Sequence, residues 1–153
     1  MDDCLIFSKS KDLADELISS LYYSFTLTEE EGVSAYLGKE VKFCKDTDTV
    51  IQSQPYLIKP IIEVMGASIS EANTKSTPSV YKEILHKDEN GPGQRLDWNY
   101  QSVVGMLNYL TASTQPNILF AVHQCARFAA NPKLSHERAI KRIVQYLKGT
   151  PDG

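Results

Sequence analysis

Residues 100–150 read YQSVVGMLNYLTASTQPNILFAVHQCARFAANPKLSHERAIKRIVQYLKGT and decide the fold, because apolar residues recur there at steps of three and four, as on one helix face. Pro116 and Pro132 divide the stretch, since proline disrupts a helix interior but suits its first turn. Three amphipathic helices are therefore predicted, the third capped by Ser135. Gly105 inside the first costs about 1 kcal/mol relative to alanine, which indicates close approach of another backbone. The three apolar faces hold Val103, Leu107 and Leu110, then Ile118, Val122, Cys125 and Ala129, then Ile140, Ile143, Val144 and Leu147.

A strand followed by a helix is predicted at the N-terminal end. Residues 3–8, DCLIFS, are apolar and typical of a short β-strand. Ser10 is a suitable N-cap for a helix that places Leu13, Leu17 and Leu21 on one face. This pattern predicts a helix that packs on a sheet.

The middle of the chain predicts a β-hairpin, a short helix and a long connection. Residues 35–53 alternate apolar and charged side chains around a turn at Asp46-Thr47-Asp48. Residues 55–65 have helical spacing up to Gly66, a residue that commonly follows a helix. Residues 67–97 are polar and without a period, which indicates a linker or a wrapping loop. The expected fold class is therefore α+β.

Composition excludes several classes of protein. The 153 residues are 42% hydrophobic and 23% charged, as in an ordinary globular protein. Cys4, Cys44 and Cys125 lie far apart without histidines at ligand spacing, which argues against a disulfide framework or a zinc site. No apolar run approaches the ~18 residues of a membrane helix, and no secretory leader is evident. We expect an intracellular protein, cytoplasmic or nuclear, without a membrane partner.

Charge is distributed unevenly along the chain, whose net charge is −3. Residues 1–50 carry five Lys and Arg against eleven Asp and Glu, whereas residues 131–153 carry five against two. The basic residues of the last predicted helix lie opposite its apolar stripe, where they could hold a phosphate backbone. A solvated amphipathic face is an equally good interpretation. This face comprises Arg138, Lys141, Arg142, Gln145 and Lys148.

Asp2-Asp3 is the pair of residues that could carry chemistry. Adjacent carboxylates at a strand start can share divalent metal ions that stabilise charge in phosphoryl transfer. The pair alone is a weak signal, because acidic dipeptides are common at exposed chain starts. The aromatic residues Tyr22, Tyr23 and Phe25 could stack bases, although packing in a core is the better interpretation of their pattern.

Several motifs, taken in order, resemble the reverse transcriptase of Ty1/copia retrotransposon Pol polyproteins. The catalytic hairpin of that family reads Tyr-x-Asp-Asp before an apolar strand, and residues 1–6, MDDCLI, match it from its second position. The most specific match is residues 100–110, YQSVVGMLNYL. The others are residues 36–41 (YLGKEV), 52–57 (QSQPYL), 76–78 (STP), 120–122 (FAV) and 139–150 (AIKRIVQYLKGT).

The resemblance implies a domain division and a set of sites. Residues 1–66 would belong to the polymerase palm, residues 67–97 would connect, and residues 98–150 would form a helical region like a thumb or connection. Asp2 and Asp3 would be catalytic carboxylates that bind Mg²⁺, with Asp2 contacting both ions. The nucleic-acid-binding residues for an RNA or DNA template–primer would be Arg138, Lys141, Arg142 and Lys148.

The resemblance also implies that the chain is one part of an RNA-directed DNA polymerase. The fingers, another catalytic aspartate and the hairpin tyrosine would precede Met1, and a ribonuclease H domain of the Pol polyprotein would follow. We therefore expect no polymerase activity on dNTPs from the isolated chain. A non-catalytic nucleic-acid-binding or interaction module, or a decayed remnant with an exposed apolar surface, are the alternatives. The chain departs from the family at residues 114–117, where TQPN replaces Thr-Arg-Pro-Asp and both charges are lost. If those charges normally form an ion pair or a cap, that local bond is either absent here or replaced by neutral hydrogen bonds.

Overall fold

A computed structural model describes residues 4, 6, 8–29, 35–66, 69, 74–95 and 98–150. The fold is α+β, as expected: helices enclose the core and a small antiparallel sheet lies beside them. None of the helices in these ranges is long and apolar enough to cross a membrane. The elements are α1 (Lys11–Ser24), β1 (Ala35–Tyr36), β2 (Lys39–Cys44), β3 (Thr49–Ser53), α2 (Pro55–Val64), α3 (Tyr100–Ser113), a 3₁₀ turn (Pro116–Ile118), α4 (Leu119–Ala126) and α5 (Leu134–Gly149).

The three predicted C-terminal helices are confirmed, with one correction at a cap. Asn99 caps α3, because its side-chain oxygen accepts a hydrogen bond of 2.8 Å from the Ser102 amide. Ser135 was predicted to cap α5, but that position belongs to Lys133. The Lys133 amide donates to Nδ1 of His136 at 3.0 Å, and Ser135 lies in the first turn with its hydroxyl turned to Asp88. The prediction of a serine cap was therefore wrong.

The hydrophobic core is built by α2, α3, α4 and α5, together with residues that flank them. Every buried hydrophobic residue of the described chain lies between Ile58 and Leu147. The apolar stripes predicted from spacing supply most of the core, and burying such side chains is worth about 1.5–3 kcal/mol each. Its fully buried members include Ile61, Val103, Leu107, Leu110, Ile118, Val122, Cys125, Ile140, Ile143, Val144 and Leu147.

The hairpin is confirmed and extended by a second turn. β2 pairs antiparallel with β3 across residues 45–48, and β1 pairs antiparallel with the other edge of β2, so the order is β1-β2-β3. Leu37 and Gly38 form the β1–β2 turn with φ angles of 48° and 72°. Two successive left-handed residues are typical of a tight hairpin turn. The Tyr109 hydroxyl donates to the Leu37 carbonyl at 2.9 Å, which fastens this turn to α3.

The helix predicted after Ser10 is confirmed as α1, but its expected packing is not. No residue of α1 is buried, and Leu17 remains 48% exposed. The aromatic residues at the C-terminal end of α1 were expected in a core, yet Tyr23 is 95% exposed and Phe25 61% exposed. Helical spacing predicts an apolar stripe on a helix, but it does not predict which part of the protein packs against that stripe. Of the strand predicted over residues 3–8, the described residues 4, 6 and 8 belong to no strand.

The described part of residues 67–97 has no helix or extended strand and lies along α5 as a wrapping loop. The Lys75 amide donates to the Gln145 carbonyl at 3.3 Å near the C-terminal end of α5. At the opposite end of α5, the Leu134 amide donates to the Pro92 carbonyl at 3.0 Å. The loop therefore runs antiparallel to α5, and we call residues 74–95 the strap.

Gly105 was expected to accommodate another backbone, and that inference was wrong. It is exposed on α3, and nothing lies within 4 Å of the position of an added Cβ. Replacing Gly105 by Ala should therefore raise the free energy of unfolding by about 1 kcal/mol, because alanine is the better helix former. Urea denaturation followed by circular dichroism would measure the change.

Gly38→Ala is the matched control for this substitution. An added Cβ at Gly38 also meets nothing within 4 Å, but the residue has a φ of +72°. Alanine is strained there, so the free energy of unfolding should fall by about 1 kcal/mol. Changes of the same sign in both variants would contradict this account of the two glycines.

Candidate nucleic-acid interface

Asp2 and Asp3 lie outside the described residues, so their assignment as Mg²⁺ ligands stays a prediction. Within the described ranges, no group of three or more His, Cys, Asp or Glu residues could hold a metal ion. The part of the predicted site whose geometry can be analysed is the basic face of α5.

The strap lies against the α5 face that was predicted to be open. Because the apolar stripe of Ile140, Ile143, Val144 and Leu147 is fully buried, the basic residues must emerge on the opposite side of α5. The strap approaches that same side, and a Cβ built on Gly149 would lie 3.1 Å from Cβ of Thr74. The basic face is therefore the floor of a cleft rather than a free helix surface.

Lys141 forms an ion pair within the fold. Its Nζ lies 2.7 Å from Oε1 of Glu137, whose side chain is 0% exposed, while that of Lys141 is 22% exposed. Oε2 of Glu137 accepts a hydrogen bond of 2.9 Å from the Arg95 amide of the strap. A buried carboxylate needs such partners. Lys141 therefore neutralises Glu137, which in turn binds the strap. A phosphate would have to compete with that pair.

Arg142 is also used in part by the strap. Its Nη2 donates to the Thr77 hydroxyl at 2.9 Å, and the side chain is half-buried. Its Nε is buried and has no hydrogen-bond partner among the described residues. The remaining guanidinium donors of Arg142 are therefore oriented by the fold and still able to accept an anion.

Arg138 is the basic residue of α5 that stays exposed at the cleft. It lies one turn before Arg142 on the same face, so the two side chains are neighbours along the helix. Lys148 is half-buried, forms contacts of its own within the fold, and lies outside the cleft. The structure thus brings Arg138 and Arg142 together and separates Lys141 and Lys148 from them.

A groove of about 400 Å³ lies between the strap, α4 and α5. Arg138 and Arg142 line it, together with Lys75 of the strap. Glu83 is the single carboxylate among its lining residues, which leaves an excess of two positive charges. Apolar and neutral polar side chains form the rest of the wall, the apolar ones including Val80, Leu85, Phe120 and Ile143. We call this site the strap groove.

Sequence reasoning missed half of the strap groove. Lys75 and Glu83 belong to a stretch without periodicity, and Phe120 belongs to a helix whose stripe was assigned to the core. Thr77 and Arg142 are 65 residues apart, so no local pattern connects them. One sequence signal could have predicted the exposure of Phe120. It lies two positions from both Ile118 and Val122, which are buried, and residues two positions apart point to roughly opposite sides of a helix.

The departure at residues 114–117 is accommodated by neutral hydrogen bonds only in part. The Asn117 side-chain amide donates to the Tyr146 hydroxyl at 2.8 Å, joining the turn before α4 to α5. Gln115 is buried, and its Oε1 has no hydrogen-bond partner among the described residues. The neighbouring Thr114 hydroxyl donates to the Gln54 side-chain oxygen at 2.9 Å.

The buried cysteine is not a nucleophile. Burial raises the pKa of the Cys125 thiol to about 12, so the thiol is protonated at neutral pH. The neighbouring Tyr100 hydroxyl donates to the Cys125 carbonyl at 3.0 Å, and burial raises the Tyr100 pKa well above its usual range. Cys4, Cys44 and Cys125 are all free.

Comparisons with known proteins match nearly the whole chain. It is 30% identical to the Retrovirus-related Pol polyprotein from transposon TNT 1-94 of Nicotiana tabacum, over 98% of this chain and 12% of that protein. It is 28% identical to the Retrovirus-related Pol polyprotein from transposon RE1 of Arabidopsis thaliana, over 99% of this chain and 10% of that protein. The chain is homologous to Pol polyproteins of Ty1/copia-type retrotransposons.

A shorter relative covers the same region. The putative transposon Ty5-1 protein of Saccharomyces cerevisiae is 26% identical over 98% of this chain, which corresponds to 47% of that protein. This chain therefore spans about a tenth of the two plant Pol polyproteins and about half of the yeast relative. No family model and no solved structure matches the chain.

Proposed function

We infer that this chain is the C-terminal part of a reverse transcriptase domain within a retrotransposon Pol polyprotein. Its parent activity is RNA-directed DNA polymerisation, in which a primer 3′-hydroxyl attacks the α-phosphate of a dNTP. The sequence of residues 1–6, MDDCLI, supports the assignment to the polymerase, because it matches the acidic motif of the family's catalytic hairpin and the apolar strand after it. The isolated chain has no polymerase activity.

The observation that carries this proposal is the uneven burial of the chain. All buried hydrophobic residues of the described ranges come from Ile58 onward, although the relatives match the chain along its whole length. The N-terminal part folds into a helix and a sheet but leaves large apolar side chains exposed, including Leu13, Leu17, Tyr22, Phe25, Phe43, Val50 and Ile51. Large apolar side chains left exposed in this number are typical of a surface that contacts another protein. The rest of the palm, elsewhere in the polyprotein, supplies that contact.

Asp2 and Asp3 have the chemistry required for the catalytic metal site. Carboxylates are preferred ligands of Mg²⁺, which when bound supplies charge stabilisation for nucleotidyl transfer. A further carboxylate from the preceding palm would complete the set. In the Pol polyprotein, the ribonuclease H domain would follow α5.

Grafting tests this assignment. In the Pol polyprotein of Nicotiana tabacum transposon TNT 1-94, the matching segment would be replaced by this chain. Primer extension with Mg²⁺ and dNTPs should be detected for the graft and absent for the isolated chain. Asp2→Asn in the graft should lower the rate about 1,000-fold or more, because a metal ligand contributes several kcal/mol to transition-state stabilisation.

Asp12→Asn in the graft is the matched control. Asp12 is an exposed carboxylate in the first turn of α1, so its loss should leave the rate within about twofold. An Asp2→Asn graft as active as the Asp12→Asn graft would refute the assignment, and primer extension by the isolated chain would refute the statement that it is inactive alone.

A further inference from the structure

We propose that the strap groove binds an unpaired nucleotide of a single-stranded RNA or DNA, and not a duplex. This rests on the proposed function and goes beyond it, because it names the form of nucleic acid that the basic face of α5 receives. Three properties of the groove carry the inference: its charge, its shape and its exposed aromatic wall.

The charge of the groove matches a phosphate backbone. Lys75, Arg138 and Arg142 line it against the single carboxylate of Glu83. Arg142 is oriented by its hydrogen bond from Nη2 to the Thr77 hydroxyl, and its side chain is half-buried. A guanidinium that is oriented in this way binds a phosphate with little further loss of side-chain entropy.

The shape of the groove excludes a duplex. A bare α-helix fits the major groove of B-DNA, which is about 12 Å wide. α5 is not bare on its basic face, because the strap lies along it and is fastened at Thr77, His86, Asp88 and Arg95. A helix with a second chain segment on its basic face is too broad for that fit. A concave site of about 400 Å³ instead accommodates a single nucleotide that leaves its strand.

The aromatic wall supplies a surface for the base. Phe120 lines the groove and is 57% exposed, so its ring is accessible to a base. Base stacking on an exposed ring contributes to the binding of single strands irrespective of sequence. Gln124 also lines the groove, one turn after Phe120, where its amide can reach a base edge. A duplex keeps its bases stacked inside and cannot use this wall.

Fluorescence anisotropy on the intact chain tests the proposal. The probes would be fluorescein-labelled ten-nucleotide strands of dT and of rU, and a blunt ten-base-pair duplex. We expect both single strands to bind at least tenfold more tightly than the duplex. With two or three phosphates neutralised, the slope of log K against log salt should be about −1.4 to −2.1 for single strands.

Two variants separate charge from stacking. Arg138→Gln should weaken single-strand binding and reduce the salt slope by about 0.7, because one phosphate contact is lost. Phe120→Ala should weaken binding about tenfold and leave the salt slope unchanged. Lys59→Gln removes a lysine whose side chain is 80% exposed on α2 and should change neither quantity. Circular dichroism would establish that each variant is folded.

Four outcomes would overturn the proposal. The first is equal or tighter binding of the duplex, and the second is a Lys59→Gln effect as large as that of Arg138→Gln. The third is that neither single strand binds, and the fourth is binding that polyglutamate displaces as well as unlabelled dT does. None of these outcomes bears on the grafted polymerase, whose primer extension separately tests the proposed function.

Discussion

Leu107→Ala is expected to lower the free energy of unfolding by about 3–4 kcal/mol. Leu107 is completely buried on α3, between helices that cannot close the gap left by three missing heavy atoms. The loss combines the transfer free energy of the removed atoms with the cavity that remains. Urea denaturation followed at the helix signal would give the midpoint and the slope, and a large shift in the midpoint at constant slope is the expected result.

Leu17→Ala is the matched control, because it removes the same atoms from the same kind of helical stripe. Leu17 on α1 is 48% exposed, and no residue of α1 is buried. We expect a change of about 0.5 kcal/mol or less. Similar losses in the two variants would show that α1 contributes to the same core as α3, and would contradict the division of the chain into a packed part and an unpacked part.

Glu137→Ala is expected to cost about 3 kcal/mol. The substitution leaves the Lys141 ammonium without its carboxylate and the Arg95 amide without its acceptor, both in contact with the interior. Breaking a buried ion pair from one side typically costs 3–5 kcal/mol, and the partial exposure of Lys141 puts this case at the lower end. Hydrogen exchange at the Arg95 amide should accelerate as well, since the strap loses that fastening.

The control for this pair is Glu63→Ala on α2. Lys59 and Glu63 have the same i,i+4 relation, but their side chains are 80% and 63% exposed and the N···O distance is 3.9 Å. A surface pair of this kind contributes about 0.2–1 kcal/mol. If Glu137→Ala costs no more than Glu63→Ala, then Glu137 does not hold the strap.

The two ion pairs illustrate what a sequence can and cannot predict. Both appear in the sequence as a lysine and a glutamate four positions apart on a helix, with glutamate first in one pair and lysine first in the other, and this local pattern does not tell which pair is buried. Their difference arises from the strap, which covers Glu137 through the amide of a residue 42 positions away. Helix existence is a local property and was predicted correctly, whereas burial depends on segments that meet only in three dimensions.

The same distinction explains the outcome at the candidate site. The positions of Arg138, Lys141, Arg142 and Lys148 on one face followed from helical geometry alone. Their separate roles did not, because Lys141 is engaged by Glu137 and Arg142 by Thr77, while Arg138 remains exposed. The leucine stripe of α1 led to a different error. Its regular spacing predicted packing against a sheet, but no residue of α1 is buried in the described chain. The roles of Asp2 and Asp3 stay predictions.

The strap also determines the order in which parts of the chain can fold during synthesis on the ribosome. Each of its anchors at Thr77, His86, Asp88 and Arg95 binds a residue of α5, and the partners are separated by 65, 50, 47 and 42 positions. At roughly 5–20 residues per second, a strap residue is therefore synthesised seconds before its partner. During that interval the strap has only water to satisfy its polar groups, and the core lacks the helix that closes it. Emergence of α5 therefore completes the core and fastens the strap in one late step of synthesis.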